Sequence, residues 1–331
     1  MPGVIGQSLD SHNASAPKRR RLCLRWQTIA PLVALVLLVV VFTLLNSNFF
    51  SAYNGSNLMR QSSVLLVLAT ASTFVILMGS IDLSIGAIVT LSATVGALLV
   101  ERIGLGGLAF IPLVGLFCGI FNGLLFAYAK LPSFLVTLGT LFIFDGLSLI
   151  LSDGRPRAVN TLGHDALFSG TLFGHIPMVT VWAVGILLLA MFVASRTRFG
   201  RYIYAIGGGE KVARLSGINI ERQKFAAFAV SGFLAGFAAL LLIFRLQAAT
   251  PSMGSSYLLT SIAAVVIGGT ALSGGIGGPH KTVLGVLVIA ILSNGMDVVS
   301  VQPFVQTLVM GAVVILAVGL TINRASLSLI K

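Results

Sequence analysis

Apolar windows recur from Thr28 to Leu320 with only short polar interruptions, each near the ~20 residues a helix rising 1.5 Å per residue needs to cross a bilayer. Ten spans are predicted, at 28–45, 61–79, 83–100, 108–128, 133–151, 178–194, 225–244, 257–272, 283–299 and 303–321. The fold class that follows is all-α, a polytopic membrane protein of about ten transmembrane helices. Composition agrees. Only 9% of the 331 residues are charged and 56% are hydrophobic, against about a quarter and a half in soluble domains, so water is not the solvent for most of this surface.

The formal charge of +12 raises the question of a nucleic-acid partner, but the basic residues are spread among loops and not gathered on one soluble face. Topology accounts for them better. With the amino terminus inside, 16 of the 21 Lys and Arg residues fall on cytoplasmic segments, leaving Arg60, Arg102, Arg155, Arg157 and Arg245 outside. That is the positive-inside bias. Both termini are then cytoplasmic. The basic cluster before the first span has the look of a signal peptide, yet the length of the span and the lack of a small-residue cleavage pattern before Asn46 favour a retained helix.

Domain organisation is read as a cytoplasmic tail at 1–27, a transmembrane domain at 28–321 and a cytoplasmic tail at 322–331. Two long connections interrupt the spans, an outer one at 152–177 and an inner one at 195–224. A repeat is visible across the halves. Met78-Gly79-Ser80 answers Met253-Gly254-Ser255, Asn122-Gly123 answers Asn294-Gly295, and Pro132 with Phe134 and Thr137 answers Pro303 with Phe304 and Thr307. An odd number of spans separates the copies, so they thread the membrane in opposite senses, an inverted-topology arrangement that transporters use.

The inner connection carries the most local information. Glu210 sits where a helix would present its positive end, Arg214 follows at i+4, and Gly217 can supply a left-handed terminus. Val212 and Leu215 share one apolar stripe. A short glycine-flanked helix at the cytoplasmic surface suits docking in a partner's groove.

Catalytic chemistry is hard to place. The four histidines, at positions 12, 164, 175 and 280, form no metal-ligand spacing, and no Gly-x-Ser-x-Gly elbow occurs. Gly275-Ile276-Gly277-Gly278-Pro279-His280-Lys281-Thr282 imitates a phosphate-cradling loop, but His280 stands where glycine is required and no strand precedes it. Cys23 and Cys118 lie in unlike environments and suggest no disulfide.

Three stretches carry a family resemblance. Tyr204-Ala205-Ile206-Gly207-Gly208, followed by Ala213-Arg214-Leu215-Ser216-Gly217-Ile218-Asn219, is similar to the coupling loop of ribose-type sugar permeases of the ABC importers, the binding-protein-dependent inner membrane components of the branched-chain amino acid and sugar permease superfamily. Ile81-Asp82-Leu83-Ser84-Ile85-Gly86 resembles that family's first signature, and the 262–269 segment with Gly274-Gly275 resembles its second. The sequence departs from the family at Leu258 and Thr260, where acids are usual, and at Lys281, near a usual glycine; these positions bear on which solute is carried. The resemblance implies a non-catalytic permease subunit in a bacterial inner membrane, paired with a second copy or a homologous permease. It also implies an extracytoplasmic solute-binding protein, and a cytoplasmic subunit that uses ATP and Mg while this chain binds no cofactor. Coupling to that ATPase would fall to Gly207, Gly208, Glu210, Ala213, Arg214, Leu215, Gly217 and Asn219.

A translocation path or gate is sought among polar residues in or beside spans. Asp82, as the residue before the helix at Leu83, is expected to cap it, since an unpaired acid in lipid costs about 2.5 kcal/mol or more. Ser84, Asn122, Asp145 and Asn294 complete the set, with helix-to-helix hydrogen bonding the commoner use of such amides. Two other classes stay open at this stage. A secondary transporter or facilitator shares the inverted repeat, and a membrane-embedded enzyme would need acids or ligands that do not cluster.

Overall fold

The computed structural model describes residues 26–159, 168 and 170–321; the amino-terminal tail with Cys23 and the basic cluster, His164, and the carboxy-terminal tail from 322 lie outside them. The chain is mostly helical. Its long helices are α1 (Trp26–Leu45), α2 (Ala52–Leu77), α3 (Ile85–Ile103), α4 (Ile111–Ala127), α5 (Ser133–Ser152) and α6 (Met178–Arg196). Two short helices, α7 (Arg198–Gly208) and α8 (Glu210–Leu215), precede α9 (Ile220–Leu246), α10 (Ser255–Ile267), α11 (Pro279–Val298) and α12 (Pro303–Thr321).

Six helical runs among the described residues are long and apolar enough to cross a membrane: Ala52–Leu77, Ile85–Ala127, Ser133–Ser152, Met178–Arg196, Ile220–Leu246 and Pro279–Val298. Shorter apolar helices lie at Ile29–Leu45, Ser255–Ile267 and Pro303–Leu316. The 43-residue run is a hairpin. The 3-10 turn Gly104–Phe110 reverses the chain, so that Gly107 abuts the Leu99 backbone and the Ile111 side chain lies against Gly96.

The span expected at 257–272 is shorter than its sequence suggested. Helix α10 stops at Ile267, because Gly269, Gly274, Gly275, Gly277 and Gly278 all take positive φ and residues 268–278 form a loop instead. Conversely, α2 begins nine residues before the apolar window at 61. Ser51 caps it by accepting from the Asn54 amide at 3.1 Å, so a polar first turn is helical too.

The core is built around α2 and α9, which pack on one another and are largely buried. Helix α9 lies against α3 and α4, and α2 against α10 and α11. Each central helix therefore packs on elements from the other end of the chain. Glycines decide the closest crossing. Gly115 and Gly119 of α4 face Gly232 and Gly236 of α9, and a Cβ at any of the four would run into the partner's backbone. Two Gly-x-x-x-Gly stripes thus bring backbones together where van der Waals packing must stand in for the hydrophobic effect.

On the side where α3 and α5 end, strand β1 (Arg157–Ala158) pairs antiparallel with the strand Ala248–Ala249 that follows α9. Arg157 contacts Asp153 at 3.1 Å and Glu101 at 3.8 Å. A small hairpin pairs Thr171–Leu172 with Ile176–Pro177.

Candidate functional site: a coupling surface and the loops beneath it

Residues 195–224, expected as a loop with one short helix, hold two helices and the start of a third. Thr197 caps α7, its hydroxyl accepting from the Gly200 amide at 3.2 Å. Gly200, Ile203 and Ile206 are buried on the inner side of α7. Gly209, the residue before α8, takes an extended φ of 165° with ψ 101°. Past Leu215 the chain turns through Gly217 at φ +81°, the left-handed terminus the sequence pointed to. Asn219 then caps α9 by accepting from the Arg222 amide at 2.9 Å.

Charges fix α8 to the bundle. Arg214 meets Glu210 at 3.6 Å, as the i+4 spacing implied, and Glu221 on α9 at 2.8 Å. Lys224 contacts Glu210 at 2.8 Å and stands 4.7 Å from the centre of the Phe126 ring at the end of α4. The hydrogen bond to Glu221, more than its charge, holds the Arg214 guanidinium above its ordinary pKa. One exposed pair contributes little, but three pairs linking four residues across two helices limit how α8 can tilt. Ala213 is buried beneath it, while Val212 and Leu215 are 69% and 89% exposed.

Gly207 points the other way. A Cβ there would collide with the Leu77 carbonyl at the end of α2 and with the Gly275 amide, and one at Gly275 would lie 2.8 Å from the Gly208 nitrogen. The Gly275 amide in turn donates to the Leu77 carbonyl at 2.9 Å. The glycines of the second signature, the 204–208 stretch and the end of α2 just ahead of the first signature therefore meet at one place, which their separation in sequence gave no means of seeing.

The first signature contains a buried polar cluster. Asp82 does not occupy the cap position expected of it, because α3 begins at Ile85 and the residue before it is Ser84, which makes no capping bond. The Asp82 carboxylate closes the preceding turn instead, accepting from the Ser84 amide at 2.9 Å and the Ser84 hydroxyl at 2.7 Å, with Ser231 of α9 at 3.4 Å. Asn122 of α4 donates to the Ser84 hydroxyl at 2.7 Å. All four residues are buried, so the start of α3 is tied to α4 and α9 together. Sequence reasoning missed Ser231, which no local motif marks.

Asn294 is placed elsewhere. It exchanges two hydrogen bonds with Asn54 of α2, each 2.9 Å, and the pair is buried. Asp145 lies half-buried on α5 with no hydrogen bond to its carboxylate among the described residues. The five polar residues thus separate into one cluster, one amide pair and one unpartnered acid. Of the departures from the family pattern, Leu258 packs near Gly86, Thr260 bonds within its own helix to the Ser256 carbonyl, and Lys281 is partly exposed in the first turn of α11.

Comparison with known proteins matches residues 54–318 to a family described as branched-chain amino acid transport system permease component. Curated relatives include the ribose import permease protein of Bacillus subtilis, 40% identical over 312 residues that span 91% of this chain and 94% of the relative. The ribose import permease protein of Haemophilus influenzae is 38% identical over 86% and 90% of the two chains, and the xylose transport system permease protein of Escherichia coli 34% over 89% and 91%. No solved structure matches the chain significantly.

Proposed function

The chain belongs to the branched-chain amino acid transport system permease family, and on that premise we propose that it is the membrane subunit of a binding-protein-dependent ABC importer, moving a sugar or polyol-like solute into the cytoplasm on ATP hydrolysed by a partner. Similarity along nearly the full length to ribose and xylose import permeases is the observation that carries this reading. The partner holds ATP and Mg, and this subunit contributes the conduit and the handle.

Helix α8 is that handle. Its polar residues Glu210 and Arg214 bond to their own chain, which leaves the exposed apolar pair Val212 and Leu215, with Lys211 beside them, as the groups offered to a partner. Apolar side chains held out on a braced helix gain by entering a groove on the ATPase, as helix-in-groove recognition requires. Gly207 and Gly208 carry the motion inward, and Ala213, Gly217 and Asn219 set the geometry of the segment.

Ten spans in two inverted halves, α1–α5 and then α6 with α9–α12, are the architecture consistent with this role. Two observations support it: the α3–α4 run folds back on itself, and the packing of α9 on α3 and α4 answers that of α2 on α10 and α11. Both termini are then cytoplasmic, and the solute-binding protein docks on the opposite face. A second permease copy, the same or homologous, completes the conduit. Within this reading Asp82, Ser84, Asn122 and Asn294 are gate posts whose hydrogen bonds set helix positions. Asp145 is the side chain with a carboxylate to spare for solute hydroxyls or the second copy.

Reconstitution tests the proposal. Vesicles holding this chain with its ATPase subunit and binding protein accumulate ¹⁴C-labelled ribose or xylose only when ATP is supplied inside. Accumulation by the chain alone, driven by a proton or sodium gradient, overturns the reading in favour of a secondary transporter.

A further inference from the structure

Tyr204 lies on the inner edge of α7, one turn before the Gly207 contact. Its hydroxyl donates to the carbonyl of Gly277 at 2.9 Å. It also fills the space beside Gly278, where a Cβ would fall 2.5 Å from the phenolic oxygen. Burial raises the Tyr204 phenol above its ordinary pKa, so it remains a donor at neutral pH.

Gly277 and Gly278, at φ +122° and +141°, immediately precede Pro279, the first residue of α11. The loop they end is also held elsewhere: Leu272 packs on the core shared by α2, α10 and α11, and the Ala271 amide donates to the Ile276 carbonyl at 3.0 Å. The Gly278 amide donates to the Thr270 hydroxyl at 3.1 Å, and the Gly275 amide to Leu77. Just inside α11, Thr282 bonds Thr73 of α2 at 2.8 Å. The glycines at 274, 275, 277 and 278 let the end of this loop bend readily, so its position depends on what is keyed into it, and α7 is keyed into it twice.

We propose that Tyr204 is a positioning residue of the transport cycle, joining α7 to the Gly277–Gly278 pivot so that displacement of the coupling segment swings the start of α11 directly, in parallel with the continuous path through α9. The inference rests on the coupling reading given above and adds a route to it. In that route α8 receives the force, α7 carries it, and the loop at 268–278 converts it into movement of α11 relative to α2. The Asp82 turn is the neighbour that would feel this movement, because Gly79 packs against the Ser273 carbonyl of the same loop.

The test is a reporter thiol in the pivot loop. Ile276 is 63% exposed, and Ile276→Cys, in a chain carrying Cys23→Ser, is labelled with polyethylene-glycol maleimide in the complex with the ATPase subunit, with and without ATP and vanadate. With Tyr204 intact, ATP changes the labelling rate. In Tyr204→Phe, ATPase binding and hydrolysis stay within about twofold, while the ATP-driven change in labelling and the solute moved per ATP fall by about two- to twelvefold, the range one neutral hydrogen bond is worth. Tyr202→Phe on the same helix, tested in parallel, leaves both readouts unchanged.

An undiminished ATP-driven change in Tyr204→Phe overturns the joint. So does loss of ATPase binding in that variant with an unaltered melting temperature, which would make Tyr204 part of the docking surface. Failure of any ATPase subunit to bind the wild-type chain would instead remove the coupling reading itself, an outcome the binding assay separates from the other two.

Discussion

Replacing Val212 and Leu215 by serine together tests the handle most directly. Complete burial of a valine or leucine side chain is worth about 1.5–3 kcal/mol. In the free chain these two are 69% and 89% exposed, so nearly all of that stabilisation is still to be gained on docking. Scaled by those fractions, a groove that covers both side chains gains about 3 kcal/mol, or roughly two orders of magnitude in Kd. The folded chain loses almost nothing, since exposed substitutions shift stability by about 0.5 kcal/mol or less. The assay is surface-immobilised permease in nanodiscs titrated with the ATPase subunit, followed by uptake in vesicles. The expected result is a Kd weakened by about a hundredfold, uptake reduced in step at limiting ATPase, and an unchanged melting temperature. An unchanged Kd would refute the assignment of α8 as the docking element. Arg214→Gln is a weaker probe, because that side chain bonds Glu210 and Glu221 of its own chain and acts on the pitch of α8 more than on contact.

Other perturbations read the bundle. Gly119→Ala places a methyl group 2.8 Å from the Gly232 Cα and forces α4 from α9, at a cost of about 1–3 kcal/mol read as a lower melting temperature in detergent. Adding Gly115→Ala then costs less than a second full increment, since one displacement relieves both clashes. Asp82→Ala leaves the Ser84 amide and hydroxyl without their acceptor and destabilises by about 3 kcal/mol; Asp82→Asn, which keeps an oxygen in place, loses less in the same melting assay. Asn294→Leu leaves the buried Asn54 Oδ1 without a donor, although its Nδ2 keeps the Phe49 carbonyl, and costs about 1–3 kcal/mol. Asn54→Leu combined with Asn294→Leu recovers part of the loss, a coupling that a double-mutant cycle measures.

Much of the 195–224 segment was legible in sequence because its determinants are local. A glutamate and an arginine four residues apart, an apolar pair on one stripe and a glycine able to turn left-handed act over a single helical turn, and Glu210, Arg214 and Gly217 take the positions those rules assign. The Asp82 expectation went wrong for a local reason as well. A short side chain three residues ahead of a helix has a competing bond to the i+2 amide, and with Ser84 there the turn wins over the cap. Helix α7 was not expected from sequence, and its glycines Gly200 and Gly207 sit where another stretch of backbone approaches.

Hydropathy alone determined that this chain lives in a membrane as a set of helices, because the length of an apolar run and the thickness of a bilayer are the only quantities involved. Which helix touches which was decided in three dimensions. The Asn54–Asn294 pair joins residues 240 apart and the Tyr204–Gly277 bond residues 73 apart, while Gly119 meets Gly232 only because two stripes cross. Small and polar residues within an apolar run carry no mark of their partner, since the energy that selects one exists only once the backbones are close enough to exclude lipid.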